Sequence, residues 1–468
     1  MLYYNFIMFL GSAPLENRGF LTGLVRKESE VRMRRFYANK KSALFFVSVL
    51  FVFCSFAFLC AGCAPKQSKP VLKIAIWGGT DEINMINKLV GEWQKDHPEV
   101  IAKIEHTPAG SYTNKLLIRI AGGTAPDVMF AETNIFTNFF TIDAFLDLTP
   151  LIEKDPAFRL DAFFPEGLER FTRKGRVYCI PRDVAPFACV YYNKKLFDEA
   201  GVPYPADDWA WSDLLEKAQK LTKVSTRGKI AQYGFYGWTW QNFIYSNDGS
   251  MVDNTENPKK FTMDSEKAVE GLQFYADLIS EYKVSPSPMT LGDFGMGAQQ
   301  LFMSGKLAMY QSGYWESNIF RDIKDFDWDV VMFPKGPTGI RRFGTGGSGY
   351  CVLKSTKHPE LAWDIVKLLT GEKAQITLTE IGLTQPSIKS IAEGPYFAGS
   401  PALPKNKSML NEAIKYVVYE PFHPKWREIN ELYLVPELDL IFNGTETVKE
   451  AVAKIAPEAN KLLKEGEK

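Results

Sequence analysis

Histidine is scarce in this chain, with four in 468 residues (His97, His106, His358 and His423), all far apart. No His-Glu-x-x-His and no paired Cys/His spacing occurs, so the sequence offers no metal site. No Gly-x-x-x-x-Gly-Lys-Ser/Thr run is present, which excludes ATP hydrolysis by this chain. Net charge is also lacking: 55 basic residues face 55 acidic ones, without a basic block. A nucleic-acid partner is therefore excluded, since phosphate binding needs a concentrated basic face. Cysteine is sparse. Cys54, Cys60 and Cys63 sit in or at the end of one apolar run, leaving Cys179, Cys189 and Cys351, an odd number without a Cys-x-x-Cys pair. No disulfide framework follows. Cys179 and Cys189 either bridge two aligned strands or serve as small buried apolar residues. No cofactor is expected.

What is present begins with a leader. Arg34, Arg35, Lys40 and Lys41 precede Ala43–Phe58, which is apolar and uncharged, in the order of a secretory signal. Counted to Gly62, the run holds about 20 apolar or small residues, so an uncleaved membrane anchor is the alternative. Ala61-Gly62-Cys63 resembles the lipobox of bacterial lipoproteins, and a polar, Pro-containing stretch to Pro70 follows it. The resemblance implies cleavage before Cys63 and lipid on its sulfur, with the protein tethered outside the cytoplasmic membrane. Cys60 departs from the pattern, standing where a lipobox usually has Leu. Residues 1–62 are thus read as leader and signal peptide, and 63–72 as a tether.

Beyond the leader, 406 residues remain, more than one hydrophobic core normally serves, so two or more lobes are expected. Val71 to Trp77 reads as a buried strand ended by Gly78-Gly79. Asp81 is expected to cap a helix with Ile83, Ile86, Leu89, Val90 and Trp93 inward. Val100 to His106 is a second strand, Tyr112 to Ala121 a second helix, and Asp127 to Phe130 a third strand. This alternation predicts βαβ units and a parallel sheet. Further on, Ser212 is expected to cap a helix, and another runs from about Ser265 to Tyr282. Strands are expected at Trp328–Phe333 and Tyr350–Leu353, and helices at Pro359–Thr370 and Thr447–Lys464. No repeat or long linker separates the parts, as expected for two lobes that exchange strands.

Several stretches carry a resemblance in order. Ala121-Gly122-Gly123-Thr124-Ala125-Pro126-Asp127-Val128 comes first. Gly175-Arg176-Val177-Tyr178-Cys179-Ile180-Pro181 leads into Val190-Tyr191-Tyr192-Asn193-Lys194-Lys195-Leu196-Phe197, then Ala200-Gly201-Val202 and Trp209 to Leu215. Leu307-Ala308-Met309 before Gly313-Tyr314-Trp315, Glu360 to Trp363, and Gly444 to Ala451 follow. Together they are similar to extracellular solute-binding proteins of family 1, the carbohydrate-binding components of ABC importers. The likeness spans about residues 71–465. It implies an α/β, type II periplasmic-binding-protein fold: two α/β lobes joined by crossing hinge segments. Crossings are expected near Asp183–Ala188, Arg341–Gly347 and Gln385–Ser390. The N-terminal lobe then comprises 73–183 plus 345–385, and the C-terminal lobe 187–340 plus 390–465. The implied partners are a carbohydrate, the ABC permease subunits, and the membrane through the lipid anchor, with the protein acting as a monomer.

A sugar offers directional hydroxyls and flat C–H faces, so its site needs aromatic rings and a few polar groups. Trp77 and Glu132 each follow a strand, where α/β clefts open. Asp183 lies at the first crossing, either touching sugar or pairing with Arg182. Trp238 and Trp240 flank Thr239, and at least one is expected to stack on ligand. Tyr314 and Trp315 stand where the family places a stacking aromatic. Gly347 and Ser348 would offer backbone N–H groups at the second crossing. Trp426 stands where the family has an aromatic near the cleft, or packs its helix. Gly344 to Gly349 matches Gly-x-Gly-x-x-Gly, but a strand is expected after it where nucleotide binding needs a helix. Ser348 lacks the Gly-x-Ser-x-Gly frame of a nucleophile. An extracytoplasmic glycoside hydrolase is the rival class, with Glu132 and Asp183 as the carboxylate pair. A solute-binding protein for a polyamine, with several acids facing a cation, is another.

Overall fold

The computed structural model describes residues 69–466. The leader, Cys63 and most of the 63–72 tether lie outside the described residues.

The chain opens with β1 (Val71–Ile76), α1 (Thr80–Asp96), β2 (Ile101–His106), α2 (Ala109–Ala121), β3 (Val128–Glu132) and α3 (Thr133–Phe140). β1 runs parallel to both β2 and β3. β1 and β3 are mostly apolar because both of their faces are covered, whereas the edge strand β2 carries Lys103, Glu105 and His106 and stays partly exposed. Leu72, Ile74 and Ile76 of β1, with Val128 and Phe130 of β3, enter one core against α1; Ala75, Met129 and Ala131 enter a second core on the other face. The alternation is the period of two built into a strand. On α1, Met85, Ile86, Leu89, Val90 and Trp93 make the buried stripe. Gly79, not Asp81, occupies the N-cap and lends no side-chain bond.

The expected parallel sheet is in fact mixed. β4 (Cys179–Pro186), β10 (Phe343–Val352) and β11 (Gln385–Pro386) join it antiparallel, giving the order β11-β4-β10-β3-β1-β2, with the short β12 (Val417–Val418) beside β10. β5 (Cys189–Asn193), β6 (Lys223–Val224), β7 (Ile230–Gly237), β8 (Leu307–Ser312) and β9 (Trp328–Met332) form the other sheet, ordered β9-β5-β8-β7-β6. A helix at Trp211–Leu221 packs on it; its N-cap is Ala210 rather than Ser212, and the Asp213 carboxylate accepts the Ala210 N–H at 2.8 Å. The helices Glu266–Ser280 and Val448–Glu465 bury their inward faces in the same core.

The two sheets belong to separate cores, and the chain passes between them three times. Ile180 lies in the first lobe's core and Ala188 in the second's. Phe343 and Tyr350, at the two ends of β10, also lie in different cores. The third passage falls between Ile391 and Phe397, somewhat later than Gln385–Ser390, because Ile388 and Ile391 still pack in the first lobe. The glycine-rich run is itself the crossing strand: β10 extends back through Gly344–Gly349, and a side chain on Gly349 would collide with the Ile180 carbonyl of β4. Cys179, Cys189 and Cys351 are free and buried. Among the described residues no helix is long and apolar enough to cross a membrane, and no His/Cys/Asp/Glu group is arranged to hold a metal.

Candidate functional site

A cleft of about 560 Å³ opens between the lobes, bordered by strand ends and by the crossing strands. Trp77, Glu132, Asp183, Trp238, Tyr314, Trp315, Gly347 and Ser348 all line it. Trp77 projects from just past β1 and meets Phe130 edge-on, ring centroids 5.6 Å apart. On the opposing lobe, Trp238 follows β7 and Trp315 follows β8. Their rings lie 6.3 Å apart, and Phe187 packs against both, at 5.0 and 5.9 Å.

These rings are held in place. The Trp238 indole N–H donates to Ser312 Oγ at 3.1 Å. Ser312 Oγ and the Tyr310 hydroxyl donate to one Glu316 oxygen at 3.0 and 3.1 Å, and the Gln299 amide donates to the other. Trp315 lies directly over Gly313, where any Cβ would overlap the indole. The buried Tyr191 hydroxyl, 2.9 Å from the Gly313 carbonyl and 2.9 Å from Ser317 Oγ, fixes that turn from beneath. Tyr314 is mostly buried, its ring edge-on to Phe397 at 5.1 Å.

The cleft floor is ionic. The Arg182 guanidinium sits over the Phe130 ring at 4.6 Å and is gripped by Glu82 from α1 and by Asp183 at 2.8 Å. Burial opposes its charge, but the two carboxylates outweigh that and keep it protonated. Asp183 is the scaffold of this floor rather than a free acid. Besides Arg182, its carboxylate accepts the Ser348 N–H at 2.8 Å and the Ser348 hydroxyl at 2.6 Å, and the residue is 6 % exposed. The expected contact through the Ser348 N–H is therefore corrected: that donor is spent within the protein, and pairing with Arg182 is the role Asp183 takes here. Gly347 borders the cleft at φ +113°.

Glu132 differs. Among the described residues no donor lies within hydrogen-bond reach of its carboxylate. Burial, then the Asp183 charge, raise its pKa from the usual 4.5 to about 7, with Arg182 pulling the other way. Glu420, just past β12, lines the same cleft and is likewise raised by burial, with Arg170 opposing.

Two expected aromatics stand elsewhere. Trp240 begins a helix at Gln241–Ser246 and is 9 % exposed inside the second lobe's core, so it is not a cleft residue. Trp426 packs in that same core. It borders a smaller polar chamber of about 270 Å³ that adjoins the cleft at Asn134 and Glu420. Residues not singled out from sequence include Glu82, Phe130, Phe187, Glu316 and Glu420. Phe187 had a signal, since it follows Pro186 inside the expected first crossing. Glu82 and Glu420 had none, because their partners are distant in sequence.

Two lobes around an aromatic, carboxylate-bearing cleft define a solute-binding protein. The chain belongs to the bacterial extracellular solute-binding protein family, which it matches over residues 79–376. It is similar to an arabinooligosaccharide-binding protein of Bacillus subtilis (27% identical; 67% of this chain, 73% of the relative). A galactooligosaccharide-binding protein of the same organism is 24% identical over 88% of this chain and 97% of its own length. Among solved structures, an ABC substrate-binding protein of Listeria monocytogenes in complex with cycloalternan superposes with a TM-score of 0.76 (26% identity; 85% of this chain, all of that one). A maltose-bound MalE3 of T. maritima gives 0.71 at 22% identity, over 84% of this chain and 99% of that one, a likeness of fold. Membership of a binding family displaces the hydrolase alternative, and the fold is that of type II periplasmic-binding proteins.

Proposed function

We propose that this chain captures a sugar or oligosaccharide by closing its two lobes over it, and delivers it unaltered to an ABC permease. The observation that carries the reading is the facing of Trp77 from one lobe by Trp238, Trp315 and Phe187 from the other across one cleft. Such rings match the C–H faces of a pyranose, and Glu132 supplies an acceptor for hydroxyls. Relatives of 24–27% identity carry oligosaccharides in their names, which supports the same class. Tyr314 and Gly347 would complete the walls.

A sugar touching both lobes favours the closed form by its differential affinity for that form, and only this difference shifts the population. The crossing strands supply the hinge. Lipid on Cys63 would hold the monomer at the outer face of the cytoplasmic membrane; one relative, from Streptomyces antibioticus, is described as a lipoprotein. The test is calorimetric titration with a panel of mono- and oligosaccharides, followed by chromatography of the recovered sugar. Saturable binding with intact sugar is expected. New reducing ends, or no sugar bound, would overturn the reading.

A further inference from the structure

The cleft's acids are unequally matched. Glu82 and Asp183 share Arg182, and Glu316 receives Tyr310, Ser312 and Gln299. The carboxylates of Glu132 and Glu420 receive no hydrogen-bond donor among the described residues, although the Arg170 guanidinium donates to the Glu420 backbone carbonyl at 2.6 Å. Glu132 stands at the end of β3 and Glu420 just past β12, and both line the same space. Among the described residues, Arg182 is the one cationic side chain lining that space, and it is already spent on two carboxylates.

We infer that the ligand is a cationic carbohydrate, a sugar bearing a protonated amine that sits between Glu132 and Glu420 while its ring lies against the tryptophans. This rests on the carbohydrate reading above. A neutral sugar offers hydroxyl donors but no counter-charge, so as the lobes close and water leaves the two acids either confront each other as like charges or hold a proton they would otherwise give up. In a gap of lowered dielectric that repulsion grows, and an unpaired buried charge is costly. One ammonium group satisfies both carboxylates. The aromatic walls add to its binding, because an ammonium is attracted to the face of an indole. They also argue against a linear polyamine, which has no flat C–H face for Trp77, Trp238 and Trp315 to cover.

The charges facing Glu132 are Asp183, Arg182, Glu82 and Glu420; Glu420 faces Arg170 as well. Both acids are pushed toward the neutral form in the empty protein, so the amine recovers the charged form on binding. Occupancy by a cation should accordingly release a proton from the protein near neutral pH.

The experiment is calorimetry of the purified protein with matched pairs differing in one substituent: glucosamine against glucose, galactosamine against galactose, and the β-1,4 disaccharide of glucosamine against cellobiose. In at least one pair the amino member is expected to bind about tenfold or more tightly, with a preference that shrinks in high salt. That preference should fall in Glu132→Gln and, separately, in Glu420→Gln, each checked for folding by circular dichroism; the salt dependence of the unmutated protein keeps the test sharp if either variant fails to fold. Equal or tighter binding of the neutral members overturns the charge inference and leaves the carbohydrate reading intact. No binding by any sugar of either kind overturns both.

Discussion

Ser348 gives both its N–H and its hydroxyl to the carboxylate of Asp183, at 2.8 and 2.6 Å, across 165 residues of sequence. This pair stitches β10 to β4, the two strands on which the lobes hinge, and it aims Asp183 at Arg182. Asp183→Ala strips Arg182 of one of its two carboxylates within the protein. Unfolding in urea should show a loss of about 3 kcal/mol, against about 1–2 kcal/mol for Ser348→Ala. An Asp183→Ala protein as stable as the parent would refute the scaffold role.

Trp315→Ala should weaken ligand binding sharply with little effect on the unfolding midpoint, because the ring is half-buried and faces the cleft. Gly313→Ala supplies a stricter check. Its methyl occupies the place of the Trp315 indole, so the ring must swing away while every other cleft residue is retained. Calorimetry should find its affinity reduced in the same direction as Trp315→Ala. Parent-like affinity in Gly313→Ala would mean that the ring's position is immaterial.

Trp240→Ala should do the reverse. Emptying a large buried site costs about 3–5 kcal/mol, so the thermal midpoint should drop markedly. The fraction that remains folded should bind with parent affinity, since Trp240 lies outside the cleft. Selective loss of affinity at unchanged stability would return Trp240 to the ligand site.

Glu132 makes stability depend on pH. Its folded pKa, about 7, lies above the usual 4.5, so the folded state holds the proton more tightly than the unfolded chain does. Stability from this group is therefore full below about 4.5 and is lost as pH rises through 7. Glu132→Gln removes the dependence. The variant should match the parent in acid and exceed it above neutrality by on the order of 2–3 kcal/mol. Denaturation curves across this range check it; a difference that does not vary with pH would contradict the burial of an ionisable group there.

Much of the frame was legible because it is local. β1 and β3 read as buried strands since apolar residues cover both faces, and the stripe on α1 follows from helical spacing. The crossing strand β10 was only half legible: Gly344 to Gly349 carries no apolar signal, and its partner β4 lies some 165 residues away. For the same reason Asp183 read as either a sugar contact or a partner of Arg182, and geometry alone gave it the second role. Trp238 and Trp240 show the limit at short range. They are two apart and alike in type, but the strand ends at Gly237 and a helix starts at Gln241, so neither periodicity relates them. One faces the cleft at 37 % exposure and the other fills the core. Glu132, legible from sequence as a strand-end acid and as one of a possible carboxylate pair, gains its character from burial beside Asp183, which no local pattern encodes.

Closure of the two lobes on a sugar is measured most directly by small-angle X-ray scattering of the protein alone and saturated with the tightest-binding carbohydrate of the panel. A smaller radius of gyration in the saturated sample, absent in Trp315→Ala at the same sugar concentration, is the predicted result. An unchanged radius at calorimetrically verified saturation would contradict capture by closure.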